Sequence, residues 1–499
     1  MPSPRRQLPL LLLLALLLSA LPAARPAFAQ EFIVTDLGDA DEGLPGSCGA
    51  ACTLREAIRL ANENPGPDTI GFRFAGSGPF VIAPSEGLPA LTDNGTTIDG
   101  TNQATGAPRT VVLNGAIVSS VESAHGLVVT SSDNEIRNLV IGGFTRGDTD
   151  FTGGSAIFID GSLGPARGEN NRIYGNWLGV GYDGTALNGN SAFNNDRYGV
   201  RLAGGASNNR IGGTGTGQGN VIAGGGVANV GVGGAGETGG VANNIISGNF
   251  IGTNVAGTAK PVGVNTDRTQ GGINVDAGAV GTIISDNLIG GHTQGQLGNS
   301  VIAGIFLAGS GSSADSGLIP TGTVIQRNQI GVTAGGAPVP NRVGIAIGGA
   351  VVYGPYNTTI GDPANPAGGR NVIAGNTVRG IEIKDSSFKY GDVRIAGNLI
   401  GLTGTGGPLP NGTNGSGTGG EGVFVGRYAA AEPGANPIVT VGPGNVISAN
   451  ITFGVRLRSG GHSVRGNYLG TDRTAGSSTL HAFTPSFVPG TANGAASVW

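Results

Sequence analysis

Charge is scarce in this chain of 499 residues: acidic and basic residues together make up 12%, and aromatics only 5%. That is about half the usual share of charge. With a formal net charge of −4 and no basic run beyond the first few positions, nothing is present to grip a phosphate backbone, which excludes nucleic acid as a partner. The low aromatic content excludes a thick core built on large rings and fits a thin interior of Val, Ile, Leu and Ala. Two cysteines and four scattered histidines, His125, His292, His462 and His481, make no metal set. Beyond the N-terminal leader no apolar run reaches the roughly 20 residues of a membrane span, so the mature chain is expected to have none.

What the chain has in excess is glycine, at 97 residues without a Gly-x-y period, which excludes collagen and implies many tight turns. It also repeats a phrase, Asn-x-Ile-x-Gly-Asn-x-Leu/Ile-Gly, seen at Asn171 to Gly179 and at Asn244 to Gly252. A sister phrase, Asn-Val-Ile-Ala/Ser, starts at Asn220, Asn371 and Asn445, with a looser version from Asn299. Aligned, these give a column of Asn176, Asn220, Asn249, Asn299, Asn328, Asn371, Asn398, Asn445 and Asn467. The gaps alternate between about 45 and about 27 residues, the shorter being near one turn of a β-solenoid. From Asn371 a turn contains three apolar pieces, Asn371-Val-Ile, Gly380 to Ile383 and Asp392 to Ile395, each alternating with a period of two.

The expected fold is therefore all-β: a single-stranded parallel β-helix of three sheets around a narrow core. Longer turns carry Gly-, Asn-, Thr- and Pro-rich inserts between the first and second strands. The column of Asn is expected to sit at a corner after Gly, where Asn tolerates the left-handed backbone region and its amides bond from turn to turn.

The ends differ. Arg5 and Arg6 precede an apolar run from Leu8 to Leu21, and Ala27-Phe28-Ala29 forms an Ala-x-Ala cleavage site, predicting a signal peptide over 1–29 and a secreted or cell-surface protein. Cys48 and Cys52 are expected to form a local disulfide in that oxidising setting. Thr53 and Glu56 have capping-box spacing, and Leu54, Ala57, Ile58 and Ala61 fall on one helical face, so a short helix is expected to cover the open end of the coil. The acids Asp36, Asp39, Asp41 and Glu42 lack the regular spacing of a calcium loop. They read as a solvated loop, and no cofactor is expected, calcium being possible without a supporting motif. The divisions are 1–29 leader, 30–95 cap, 96–475 coil and 476–499 flexible tail.

Cys52-Thr-Leu-Arg-Glu-Ala-Ile58, followed by Ala61 to Phe72, closely resembles the CSLREA domain of secreted bacterial proteins, departing at Thr53 where that name has Ser. The downstream repeats resemble those of right-handed parallel β-helix proteins, the architecture of pectate lyases. The resemblance implies export and a β-helix. It does not imply one reaction.

By the same resemblance, the second strand of each turn corresponds to the substrate-facing sheet, and the inserts stand beside it. Its outward positions include Phe158, Arg201, Asn274, Phe306, Glu382, Phe424 and Arg456, with Asp276, Lys384 and Arg458 in the next row. The binding candidates are Phe158, Phe306, Phe424, Arg201, Asn274 and Asp276, where exposed rings would stack on sugars or else pack beneath the inserts. Glu382, Lys384, Asp385, Arg456 and Arg458 are the catalytic candidates if the protein is an enzyme. Paired carboxylates at the spacing of an inverting glycosidase are missing from the pattern. The primary expectation is a monomeric, non-catalytic coil presenting a long face to polysaccharide or cell-surface glycan. The alternative is a polysaccharide lyase or glycoside hydrolase.

Overall fold

The computed structural model describes residues 28–41, 43, 48–49, 51–117, 124–144, 153–164, 166–182, 193–234, 240–261, 271–293, 302–308, 319–348, 357–384, 391–412, 419–426, 439–458, 460–470, 486–487 and 496–498. Residues 1–27 of the expected leader, Glu42, Asn299 and Asp385 lie outside these residues. Among the described residues the chain winds as a parallel β-helix. Sheet A has 13 strands from Glu31–Val34 to Ser463–Val464, and sheet B has 12 from Phe80–Ile82 to Tyr468–Leu469. Sheet C runs from Leu127–Val129 to Val455–Leu457. One turn reads Ile245–Ser247 in A, Phe250–Ile251 in B and Gly271–Val275 in C, with the insert between B and C.

The register explains the thin core. Ile246, Ile284 and Ile325 stack in sheet A, while Ile251, Ile289 and Ile330 do so in sheet B. Sheet C adds two inward columns, through Ile273 and Val275 in one turn and Ile305 and Leu307 in the next. All ten side chains are fully buried. At about 1.5–3 kcal/mol for each such side chain, the coil gains stability turn by turn, as a solenoid does.

The polar part of the interior is more extensive than one column. Asn176, Asn220 and Asn249 are joined amide to amide as expected, with Asn220 Nδ2 donating to Asn249 Oδ1 at 2.9 Å. The next rung is Asn287, which accepts from Asn249 at 3.0 Å and donates to Asn328 at 3.1 Å. The column then continues through Asn371, Asn398, Asn445 and Asn467. Asn287 thus holds the rung between Asn249 and Asn328 that the sequence pattern assigns to Asn299, a residue outside the described ones.

The backbone reading of the ladder also needs correction. Positive φ falls on the residue before the rung, as at Gly248 (70°), Asp286 (60°) and Arg327 (57°), and not on Asn249, Asn287 or Asn328. The bend turns the following amide inward, where its Nδ2 also caps a carbonyl of the previous turn, such as Ile284 O beneath Asn328.

Two further ladders occupy the other corners. Between C and A, Asn134, Asn171, Asn209 and Asn244 are linked, each preceded by a positive-φ residue, Asp133, Asn170, Asn208 and Asn243. Between B and C, Asn341, Asn376, Asn411 and Asn450 form the third.

The ends are closed. The helix α1 (Leu54–Glu63) packs on Glu31–Val34 and Thr69–Phe72, the first strands of sheet A, and buries Leu54, Ala57, Ile58, Leu60 and Ala61. Thr53 caps it, its Oγ1 accepting from the Glu56 backbone N–H at 3.2 Å. Cys48 and Cys52 are joined in a disulfide beside it. The acidic loop clamps the helix: Asp39 pairs with Arg55 at 2.9 Å and Asp41 with Arg59 at 2.9 Å. At the far end, Ala496–Val498 pairs antiparallel with Val455–Leu457, and Ser486–Phe487 pairs with it in turn. Part of the tail, read from sequence as free of the coil, thus covers the last edge of sheet C. No helix among the described residues is long and apolar enough to cross a membrane.

Candidate functional site on sheet C

Parallel pairing sets the outward row of sheet C as Phe158, Arg201, Gly231, Asn274, Phe306, Ala346, Glu382, Phe424 and Arg456. The strand Ala228–Val232 is the one that sequence comparison missed, because Asn229 replaces the glycine that opens its sister strands. It separates Arg201 from Asn274 by a full step.

That glycine-bearing strand shapes the first polar centre. A Cβ at Gly231 would collide with the Tyr198 ring, and one at Gly234 would collide with the Arg201 guanidinium. Both side chains therefore lean over bare backbone toward the next turn. Arg201 Nη1 donates to the Tyr198 hydroxyl at 3.2 Å, and its guanidinium lies 4.9 Å from that ring's centre. On the far side stand Asn274 and Asp276. Burial pushes the Asp276 carboxyl up to about 6, against the downward pull of the Arg201 charge. Asn274 is buried, and its Oδ1 has no hydrogen-bond partner among the described residues. A cation and a phenol bonded to each other thus stand near a carboxyl group that feels the cation's charge, with an unsatisfied buried amide on the strand leading into that carboxyl group. Tyr198 was legible only by aligning the strands three residues before Arg201.

The second centre lies farther along the sheet and is internally satisfied. Glu421, only 1% exposed at its side chain, accepts from Arg379 Nε at 2.9 Å and Arg456 Nη1 at 3.1 Å. Arg379 Nη1 also donates to Glu382 at 2.6 Å. Two acids and two guanidinium groups therefore neutralise one another, which takes Glu382 and Arg456 out of use as free catalytic groups. Lys384 and Arg458 follow in the second row at strand ends, and both are half-buried.

The stacking role expected of two rings does not fit. Phe424 is 5% exposed, with the Arg379 guanidinium 4.0 Å from its centre on one side and Arg456 at 6.0 Å. Phe306 is 9% exposed and packs with Ala303, Val343, Ala346 and Val378 outside the main core. Phe158 is half-buried, with the His125 ring 4.7 Å away. Asp160 is three strands from Asp276, about 14 Å at the usual spacing, too far to pair with it.

No family model matches the chain, and no curated protein matches it by sequence. Among solved structures, the A-module of an Azotobacter vinelandii mannuronan C-5 epimerase aligns with a TM-score of 0.40 and 14% identity, over 83% of this chain and 91% of that one. An alginate lyase from Paenibacillus sp. aligns with a TM-score of 0.34 and 12% identity, over 89% and 99%. A Streptococcus pneumoniae surface protein and adhesin aligns with a TM-score of 0.32 and 10% identity, over 84% and 93%.

Proposed function

We propose that this is an exported, non-catalytic β-helix protein whose sheet C receives a polysaccharide along the coil axis, centred on Tyr198, Arg201, Asn274 and Asp276. The observation that carries this reading is the gathering of those four polar groups around a strand whose outward position is glycine. Acceptors on Asn274 and Asp276 call for hydroxyl donors, and the Arg201 and Tyr198 groups supply donors in return. A polyhydroxylated chain offers both. The Cys48–Cys52 disulfide and the Ala27-Phe28-Ala29 leader support export.

The experiment is a glycan-array screen followed by affinity measurement with Arg201→Gln and Asp276→Asn. Loss of at least tenfold in affinity at unchanged thermal stability is expected from each. Absence of binding to every glycan, or binding indifferent to both substitutions, would sink the proposal.

One observation favours a catalytic reading beside it: a carboxyl group held at about 6 next to a cation and a phenol is placed for proton transfer. Paired-carboxylate hydrolysis is poorly served, since no second acid among the described residues stands within one or two strands of Asp276 on this row. Elimination from an acidic polysaccharide needs only one base, and Asp276 supplies it in this reading. Appearance of unsaturated product from an anionic polysaccharide, abolished by Asp276→Asn, would replace binding with catalysis.

A further inference from the structure

A groove of about 430 Å³ opens on the outer side of sheet B, on a different face from the site just described. Its wall is a short aromatic track. Trp177 pairs with Val221 and Val221 with Phe250, so the two rings stand on the same outward row, two strand steps or about 10 Å apart. Both rings are half-exposed, and the valine between them is buried. Both rings pack on the buried cluster of Val180, Val221 and Ala223, and one face of Trp177 is given to an arginine.

That arginine is Arg109, whose guanidinium lies 5.1 Å from the Trp177 ring centre and donates to Gly175 O at 3.3 Å. These are its only polar partners among the described residues. It is half-buried, and no carboxylate among the described residues pairs with it. The acid that lines the groove, Asp286, is held by Arg327 through hydrogen bonds of 2.8 and 2.9 Å. The groove therefore keeps one uncompensated positive charge. Burial alone acts on the Arg109 pKa, pulling it down, with no acid to restore it. A half-buried cation left in this state is a standing electrostatic cost that an anion would remove.

The rest of the lining is rich in glycine, with Thr214 and Val255 the other side chains. The loop from Gly213 to Gly219 forms one side, and a Cβ at Gly219 would run into the carbonyl oxygen of Gly248 on the next turn. Glycine at that position lets the loop lie close against the next turn, where any side chain would clash. Arg109 itself takes a positive φ of 59°, a conformation that a non-glycine residue seldom adopts, and this fixes its stem at the mouth.

We propose that this groove binds an anionic saccharide, with its carboxylate or sulfate on Arg109 and its sugar rings on Trp177 and Phe250. A single cation beside two ring faces suits a chain whose anionic groups are sparse and whose apolar ring faces are many. It does not suit nucleic acid, which would require a basic stripe. The planar guanidinium fits an oxyanion in bidentate fashion while stacked on the indole.

The test is titration calorimetry of the full chain with three probes: a galacturonate tetrasaccharide, a sulfated tetrasaccharide and cellotetraose. One or both acidic probes should bind at least tenfold more tightly than the neutral one, and which of them binds identifies the anion. Arg109→Gln should weaken that binding at least tenfold, Trp177→Leu should do likewise, and Trp177→Phe should retain most of it. Tyr468→Ser, at an exposed position in the last strand of sheet B and outside both sites, should leave it unchanged, which ties the binding to this groove. Should Arg109→Gln fail to fold, Arg109→Lys gives the reading, because it keeps the charge but loses the planar fork and should bind at least threefold more weakly. No binding of either acidic probe, equal binding of cellotetraose, or binding indifferent to residue 109 overturns the proposal.

Discussion

His292 donates from Nδ1 to Asn341 Oδ1 at 2.8 Å and so begins the third ladder as an imidazole in place of an amide. Because the Asn341 oxygen only accepts, Nδ1 carries the proton, and Nε2 is left to accept from Asn229 Nδ2 at 2.9 Å. Protonating Nε2 would set two donors against each other. Burial pulls the imidazole down to about 4.

The pH dependence follows from that value. Between about 4 and the free value near 6.5 the unfolded chain binds a proton that the folded chain refuses. Stability from this residue is complete above pH 6.5 and falls by roughly 3 kcal/mol as pH drops to about 4. Asp276 has the opposite sign: its folded value near 6 lies above the free 3.8, so it loses stability as pH rises through that window. The two slopes offset each other in the native protein. Denaturant unfolding of native and His292→Asn proteins at pH 7 and pH 4 should show the difference between them shift by about 3 kcal/mol in favour of the variant at low pH. An unchanged difference would place His292 outside the ladder.

Asn287→Leu should destabilise the coil. It strands the Asn249 amide and the Ile246 carbonyl that Asn287 now caps. Each unsatisfied buried group costs about 1–3 kcal/mol, so a loss of several kcal/mol in unfolding free energy is expected. Stability equal to that of the native chain would contradict a shared ladder.

Glu421→Gln removes the charge held between Arg379 and Arg456. Breaking a buried pair from one side costs about 3–5 kcal/mol. A fall of that order in urea-unfolding free energy is expected, together with exposure of the neighbouring Phe424 to a fluorescence quencher-independent probe such as hydrogen exchange at its backbone. A neutral outcome would make the cluster ornamental and reopen Glu382 as a free acid.

Phe306→Ala and Phe424→Ala should each lower stability by about 3 kcal/mol, as expected of packed rings. Thermal unfolding measures this directly. Wild-type stability coupled with loss of glycan binding would instead return both rings to the role that the sequence suggests.

The sequence by itself determined the coil. Ile, Val or Leu at the inward positions, most often Gly or Asn at the bends and Asn at most corners state a period, and a period fixes which strand lies on which, because one register buries the apolar column and its neighbours expose it. The helix beneath Thr53 and the disulfide were equally local, and so equally legible. One rung went astray at Asn299 because a variable insert hides the count, while Asn287, in the phrase Ser285-Asp286-Asn287-Leu288, has Asp where other copies have Gly. The ladder between sheets C and A left a signal in the doublets Asn170-Asn171, Asn208-Asn209 and Asn243-Asn244, each pairing a left-handed residue with an inward amide. What only the tertiary structure decided is which charges are spent and which are left over. Glu382 meets Arg379 three residues away, but Glu421 reaches Arg379 from 42 residues on, and Arg109 meets Trp177 across a whole turn. Those distances along the chain depend on insert lengths that follow no period. Stacking alone brings such groups together, and it leaves Arg109 without a carboxylate partner among the described residues.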